Sequence, residues 1–176
     1  MRNFMIKTNR GFSMMELLVA VLVMGIGVLS VTGLQMISLQ NNQDALRRSE
    51  ALQLAYEIMD RIRVNPGIGV PGIAYDGVGL DDLSDAPPDC VATNCSANQM
   101  VDFDLALWKC SLGGHNADGV CTDLREDVLL PAIGDQPGLP NGQGQIEVDA
   151  SGRVTVTIQW LGFNNVERTV TVASQG

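Results

Sequence analysis

From Leu17 to Gln43 the chain carries no Asp, Glu, Lys or Arg, a run of 27 positions. Within it Leu17–Leu34 is almost wholly apolar. Eighteen helical residues reach about 27 Å at ~1.5 Å each, close to a ~30 Å hydrocarbon core. The pattern then changes. Ala45, Leu52, Ala55, Tyr56, Met59 and Ile62 recur at spacings of threes, fours and a seven, which predicts one apolar face of a helix continuing to about Val64. Asp44–Arg48 and Glu57–Arg61 each set an acid four residues before a base, the better orientation on an exposed helix face. Asn65-Pro66-Gly67 stops the helix. A helix over residues 12–64 is about 80 Å long. Its first half is suited to a membrane or filament core, its second half to a folded head.

Gly67–Asp89 is rich in Gly, Pro and Asp without a period and reads as loops with little to pack. Asn98–Lys109 sets Met100, Phe103, Leu107 and Trp108 at helical spacing, a short packing helix, and Leu124–Leu130 suggests another turn. Pro131–Gly144 is punctuated as a loop. Gln145–Asp149 reads as a short strand. Arg153–Trp160 alternates, with Val154, Val156, Ile158 and Trp160 on one face and Thr155, Thr157 and Gln159 on the other. Val166–Val172 repeats the alternation, with turns at Ala150-Ser151-Gly152 and Asn164-Asn165. This predicts a three-stranded antiparallel meander over about 145–172 with one buried face, which can cover the second half of the long helix. The fold class is α+β: a long amino-terminal helix packed on an antiparallel sheet in a loop-rich head, residues 65–176.

Charge narrows the function. Lys plus Arg total 11 against 20 Asp plus Glu in 176 residues, a net charge of -9. That balance argues against a nucleic-acid partner, which needs positive surface to displace phosphate counterions. The basic residues Arg2, Lys7 and Arg10 precede the apolar run with no acid among them. A basic flank of this kind sets the orientation, with the amino terminus in the cytoplasm. A signal peptide cut near Val31-Thr32-Gly33 and a plain anchor both accommodate the apolar run. Glu16 suits neither. An ionisable residue at the edge of a span costs roughly 2.5 kcal/mol or more if it reaches the bilayer centre, and usually has a partner.

Gly11-Phe12-Ser13-Met14-Met15-Glu16, following a basic leader and leading directly into an apolar helix, resembles the type IV prepilin motif. The resemblance implies a type IV pilin-like fold and a leader, residues 1–11, removed between Gly11 and Phe12 by a prepilin peptidase. It also implies N-methylation of Phe12 and a role for Glu16 in assembly. In a bundle of such helices each α-amine needs a counter-charge, and a carboxylate four residues along can neutralise a neighbour's Phe12. Major pilins usually carry a helix-kinking Pro where this chain has Gly33. Gly25 to Gln35, Arg48-Ser49, Ala51, Ala55 and Arg61-Ile62-Arg63-Val64-Asn65-Pro66 are similar to the PilV group of minor pilins. Cys90, Cys95, Asp104, Trp108-Lys109, Leu130-Pro131, Leu139-Pro140-Asn141-Gly142 and a strand ending in Trp160 continue the likeness. Cys110–Asp123 looks like an elaboration of this chain.

The likeness implies a structural subunit rather than an enzyme, without a cofactor. It would be a minor pilin of the tip or priming complex, supporting pilus assembly, twitching motility and adhesion. The implied partners are other minor pilins, the major pilin, the prepilin peptidase, the inner-membrane assembly platform and a tip adhesin. It would reside in the inner membrane before assembly and in the surface fibre afterwards. The type II secretion minor pseudopilin GspI shares the amino-terminal half and is the nearest alternative; an exported binding domain on an uncleaved anchor is another.

Cys90, Cys95, Cys110 and Cys121 all lie in the loop-rich middle. An even count in an exported chain points to disulfides, with three connectivities open. Pairing sequence neighbours gives Cys90–Cys95 and Cys110–Cys121. A zinc site with His115 as a spare ligand is the alternative, but the spacing is not a repeated Cys-x-x-Cys pair. His115 could pair with Ser111, without a nucleophile elbow or a supporting acid. Asn116-Ala117-Asp118-Gly119 with Asp123 resembles part of a calcium loop, but the acid at its start and the closing Glu are missing, so it reads as a turn. Gly142-Gln143-Gly144 has no following helix and is no phosphate loop. Asp81, Asp82 and Asp85 read as a solvated acidic loop.

Overall fold

The computed structural model describes residues 11–67, 69–83, 87–127, 129–130 and 137–175. The basic leader residues Arg2, Lys7 and Arg10, together with Asp85 and Pro131, lie outside the described residues. The elements are α1 (Met14–Val64), α2 (Ala97–Leu112), α3 (Gly119–Glu126), β1 (Gln143–Val148), β2 (Arg153–Leu161) and β3 (Glu167–Gln175). Single 3-10 turns occupy Ile73–Tyr75 and Phe163–Asn165. The chain divides into two units at Asn42.

In the first unit Ser13 caps α1. The Glu16 amide donates to Ser13 Oγ at 3.2 Å and to its carbonyl at 3.1 Å, satisfying a donor that the first helical turn leaves open. The apolar side chains from Met14 to Leu39 are exposed within the chain. α1 is long and apolar enough to cross a membrane, and none of its apolar stretch is buried. Two hydroxyls of this stretch are satisfied inside the helix: Ser30 Oγ donates to the Ile26 carbonyl at 2.9 Å and Thr32 Oγ1 to the Val28 carbonyl at 2.7 Å. That is the arrangement an apolar surrounding requires.

In the second unit α1 buries Ala51, Ala55, Ile58, Met59 and Ile62. The face expected from the sequence is thereby rotated. Leu52 is half-buried, Ala45 is exposed, and Tyr56 is 53% exposed. Each step along a helix turns about 100°, so Tyr56 points away from a core that Ala55 faces. The small side chains of Ala51 and Ala55 meet the core, and the Tyr56 ring remains at the surface. Glu57 and Arg61 pair at 2.9 Å as their spacing predicts, but Asp44 pairs with Arg168 of β3 at 3.3 Å rather than with Arg48. A partner across the fold displaces the local one.

The sheet is an antiparallel meander in the order β1-β2-β3. Ile146 opposes Val156, Val156 opposes Val172, and Ile158 opposes Val170. Val154, Val156, Ile158 and Trp160 are buried, as the alternation requires. They form one core with the α1 face, Tyr75, Trp108, Leu112 and Leu139. A smaller core joins Phe103, Ala106, Leu107, Cys110, Cys121 and Leu124 between α2 and α3. Asn164 and Asn165 turn β2 into β3 with φ of 58° and 56°, a left-handed conformation that Asn tolerates better than most residues.

Three further expectations are corrected. The 67–89 segment does pack: Tyr75 is fully buried, and Val78 bridges Ile146, whose amide donates to its carbonyl at 3.0 Å. Gly72 makes this docking feasible. Its φ is +79°, and a Cβ there would stand 3.0 Å from Ile62 and 3.1 Å from Val154. The turn near Leu124 is the end of a helix that starts earlier, at Gly119. α2 also extends beyond its expected bounds. Ser96 and Gln99 form a reciprocal capping box at its start, and Gly113, at φ 104°, ends it.

Candidate functional site

Residues 11–13 precede α1 without regular structure. Phe12 is 84% exposed, and among the described residues nothing approaches within 4 Å of the position a Cβ would take on Gly11. Glu16 lies in the first turn of α1, ahead of the exposed apolar side chains Leu17, Leu18, Val21 and Leu22. Its carboxylate shares one end of the helix with Phe12, and both face outward from this chain.

The head holds three polar constructions. Arg61 Nη1 meets Asp104 Oδ1 at 2.9 Å, while its Nη2 meets Glu57 at 2.9 Å. The Tyr75 hydroxyl donates to Asp104 Oδ2 at 3.0 Å, and Asn65 Nδ2 donates to the Ala97 carbonyl at 2.9 Å. Burial lowers the pKa of Arg61, but its bonds to Asp104 and Glu57 outweigh this and raise it. Tyr75 is raised by burial and by the Asp104 charge, with Asn65 and Arg61 opposing. The network fastens α1, the 3-10 turn and α2 together.

Lys109 is almost completely buried on α2. Its Nζ donates to the carbonyls of Gly79 at 2.5 Å, Leu80 at 3.0 Å and Gly144 at 2.6 Å. An ammonium has three donors, one for each acceptor. Burial lowers its pKa to about 8, with Asp82 and Asp81 pulling upward. Trp108 beside it donates through Nε1 to the Leu54 carbonyl at 3.0 Å, tying α2 to α1.

The four cysteines form two bonds. Cys90 joins Cys95 with their Cα atoms 5.4 Å apart, and Cys110 joins Cys121 at 5.2 Å. The thiolates that the zinc alternative calls on are thus engaged in disulfides. Cys110–Cys121 staples α2 to α3 inside the smaller core. The Ser111 hydroxyl donates to the Trp108 carbonyl at 2.7 Å, while His115 Nδ1 meets Asp118 Oδ2 at 2.7 Å, so the two are not brought together as a nucleophile and its base. An acid does support His115, which the sequence reading missed; the spacing of His115 and Asp118 by three was the available signal. Asp118 also precedes α3 as its cap residue, consistent with a turn there. In the acidic loop Asp82 accepts from the Gly79 amide at 2.6 Å, and Asp81 accepts from Gln143 at 3.0 Å. Both carboxylates are exposed, as the solvated reading expects, and each also accepts a hydrogen bond.

The model of the prokaryotic N-terminal methylation motif matches residues 6–32, and that of type IV pilin Tt1218 matches residues 33–106. Neither the curated proteins nor the solved structures gave a match. The first match covers the Gly11–Glu16 segment and most of the apolar run; the second covers the amphipathic half of α1 and most of α2. A long amino-terminal helix, a three-stranded antiparallel sheet and two disulfides make a type IV pilin-like α+β fold, and with the two adjoining matches they support a type IV pilin or pseudopilin subunit.

Proposed function

We propose that the chain is a minor pilin of the PilV group, a low-abundance structural subunit of the complex that primes the fibre and sits at its tip. The observation that carries the reading is the exposed apolar half of α1 with Phe12 and Glu16 at its head. Such a surface needs a lipid or helix-bundle surrounding, and a carboxylate at its edge needs a positive partner. Prepilin peptidase cuts between Gly11 and Phe12, the new amine is methylated, and residues 12–64 act as the membrane and filament-core helix. Glu16 then neutralises the Phe12 amine of an adjacent subunit. The head, residues 65–176, faces the periplasm before assembly and the fibre surface after it, where it supports twitching motility and adhesion. Its partners are the other minor pilins, the major pilin and the inner-membrane assembly platform.

The test is quantitative mass spectrometry of sheared surface fibres, with and without the gene for this chain. The reading expects the chain in fibres at far below the amount of the major subunit, and a loss of fibres without it. Presence at major-subunit levels, or unchanged fibres and motility without it, overturns the minor-pilin role.

A further inference from the structure

Within the second unit two sets of contacts fix the direction of the sheet along α1. Near the carboxyl end of the helix, Arg63 Nη2 donates to Ser174 Oγ at 2.7 Å. At residues 44–47, Asp44 meets Arg168 at 3.3 Å and Arg47 Nη1 donates to the Leu161 carbonyl at 3.5 Å. β3 therefore runs antiparallel to this half of α1, and the turn over residues 162–166 lies at the end where the helix enters the head. Asp44 follows Leu39, the last large side chain of the exposed apolar run, by five positions, about 8 Å at ~1.5 Å per helical residue. The headgroup layer adds about 5–8 Å to each side of a hydrocarbon core.

This end of the head carries exposed apolar side chains. Leu46 is 70% exposed, and Phe163 and Val166, at the two ends of the turn, are each 49% exposed. The Val166 amide donates to the Phe163 carbonyl at 3.4 Å, closing the turn that presents both. Beside them is a groove of about 710 Å³ lined by Asp44, Arg48, Trp160, Glu167 and Arg168. Because Asp44 pairs with Arg168, the Arg48 guanidinium has no carboxylate partner among the described residues. The Trp160 indole N–H is buried and has no acceptor there either. Residues 44–48 and 160–169 hold three bases, Arg47, Arg48 and Arg168, against two acids, Asp44 and Glu167. The whole chain has 11 against 20, so this end departs from the acidic balance of the rest.

We propose that this end of the head is a phospholipid-docking surface. Leu46, Phe163 and Val166 enter the boundary between headgroups and acyl chains, where aromatic and apolar side chains are at home. Arg48 takes a lipid phosphate, which suits the planar donors of a guanidinium, and its long stem spans the remaining distance to the headgroups. The proposal rests on the membrane-helix reading of residues 12–64. A bilayer fits better than a neighbouring subunit because the apolar and basic groups gather where the chain leaves the hydrocarbon core. The contact seats the head on the membrane before assembly and is given up on extraction into the fibre.

The experiment is hydrogen–deuterium exchange of the full chain in nanodiscs of phosphatidylethanolamine and phosphatidylglycerol, and in dodecyl maltoside, which has no phosphate. Residues 160–169 should exchange several-fold more slowly in nanodiscs, while residues 143–148 exchange alike in both. Phe163→Ser with Val166→Ser, at exposed positions, should remove the difference without unfolding the head. Arg48→Gln should reduce it about fivefold, the share of one basic residue at a lipid surface. Equal exchange of residues 160–169 in the two media, with the chain embedded in nanodiscs and residues 17–34 protected, overturns the docking surface and leaves the membrane helix standing. A chain that does not enter nanodiscs overturns both. Protection of residues 160–169 in sheared fibres but not in nanodiscs assigns the patch to a neighbouring subunit and overturns lipid docking.

Discussion

Arg61, in the last turn of α1, and Asp104, in the middle of α2, form an ion pair at 2.9 Å, and the free carboxylate oxygen of Asp104 takes the buried Tyr75 hydroxyl. Three segments distant in sequence meet on one carboxylate. Asp104 is almost fully buried, whereas Arg61 keeps about a third of its side chain in solvent. Asp104 is therefore the member whose removal strands the others.

Asp104→Ala leaves the Arg61 and Tyr75 donors without their acceptor. Losing one side of a buried pair costs about 3–5 kcal/mol, and the solvent exposure of Arg61 places the expected loss at the lower end. Tyr75→Phe removes one hydrogen bond and should cost only about 1 kcal/mol. Urea denaturation of the full chain in detergent, followed by the tryptophan signal, measures both. Equal losses for the two variants would contradict the central place given to Asp104.

Lys109 gives the head a pH signature. Its pKa of about 8 lies below the ordinary lysine value of 10.5. Between those limits the unfolded chain binds more protons than the folded one, so the lysine's contribution to stability rises with pH across that window and is flat below it. Lys109→Met lacks the rise. It also leaves three carbonyls short of a donor, costing about 1–3 kcal/mol or more at pH 7. Denaturation midpoints at pH 7 and pH 10 should show the gap between wild type and Lys109→Met widening as pH increases. A gap that narrows would mean that the ammonium is not held where burial outweighs its neighbours.

The two disulfides differ in access. Cys110 and Cys121 are fully buried, while Cys90 and Cys95 are half-exposed. Reduction needs a thiolate to reach sulfur, so a mild reductant should open Cys90–Cys95 first. Opening Cys110–Cys121 should require unfolding of the α2–α3 core. A closed loop of this kind typically contributes about 2–4 kcal/mol, so expression without periplasmic oxidation should lower the steady-state level of the chain. Timed alkylation with peptide mapping gives the order of reduction. Simultaneous release of all four thiols would contradict it.

What could be read from the chain follows from the range of the interactions. The β2 alternation is legible because a strand with one buried face repeats every second residue, and a slip would turn Val154, Val156, Ile158 and Trp160 outward together. The Gly11–Glu16 segment is legible because its residues are contiguous. The α1 face was only partly legible: helical spacing admits both Tyr56 and Ala55, and the sheet decides between them. Asp104 and Tyr75 were not legible as partners of Arg61. Their meeting depends on how α2 and a Gly-rich loop dock on α1, and a lone aromatic in a loop has no period to announce it. Asp44 shows the same effect, because Arg168 approaches from a strand 124 positions away.

Glu16→Ala should insert in the membrane normally, since the apolar run is unchanged and losing a charge eases insertion. Incorporation into fibres should fall, because a neighbour's amine loses its counter-charge, a defect of about 3–5 kcal/mol in a dry bundle. Immunoblots of membrane and sheared-fibre fractions separate the two effects. Normal amounts of the variant in fibres would remove Glu16 from the assembly contact.

The most direct measurement is the mass of the amino-terminal peptide of the protein isolated from cells. The account predicts a chain beginning at Phe12 that carries one added methyl group on its amine, with Gly11→Val accumulating as the uncut, unmethylated precursor. A chain that retains Met1–Gly11 in assembled fibres, or one that begins near Leu34 after removal of the apolar run, would contradict the assignment as a pilin subunit.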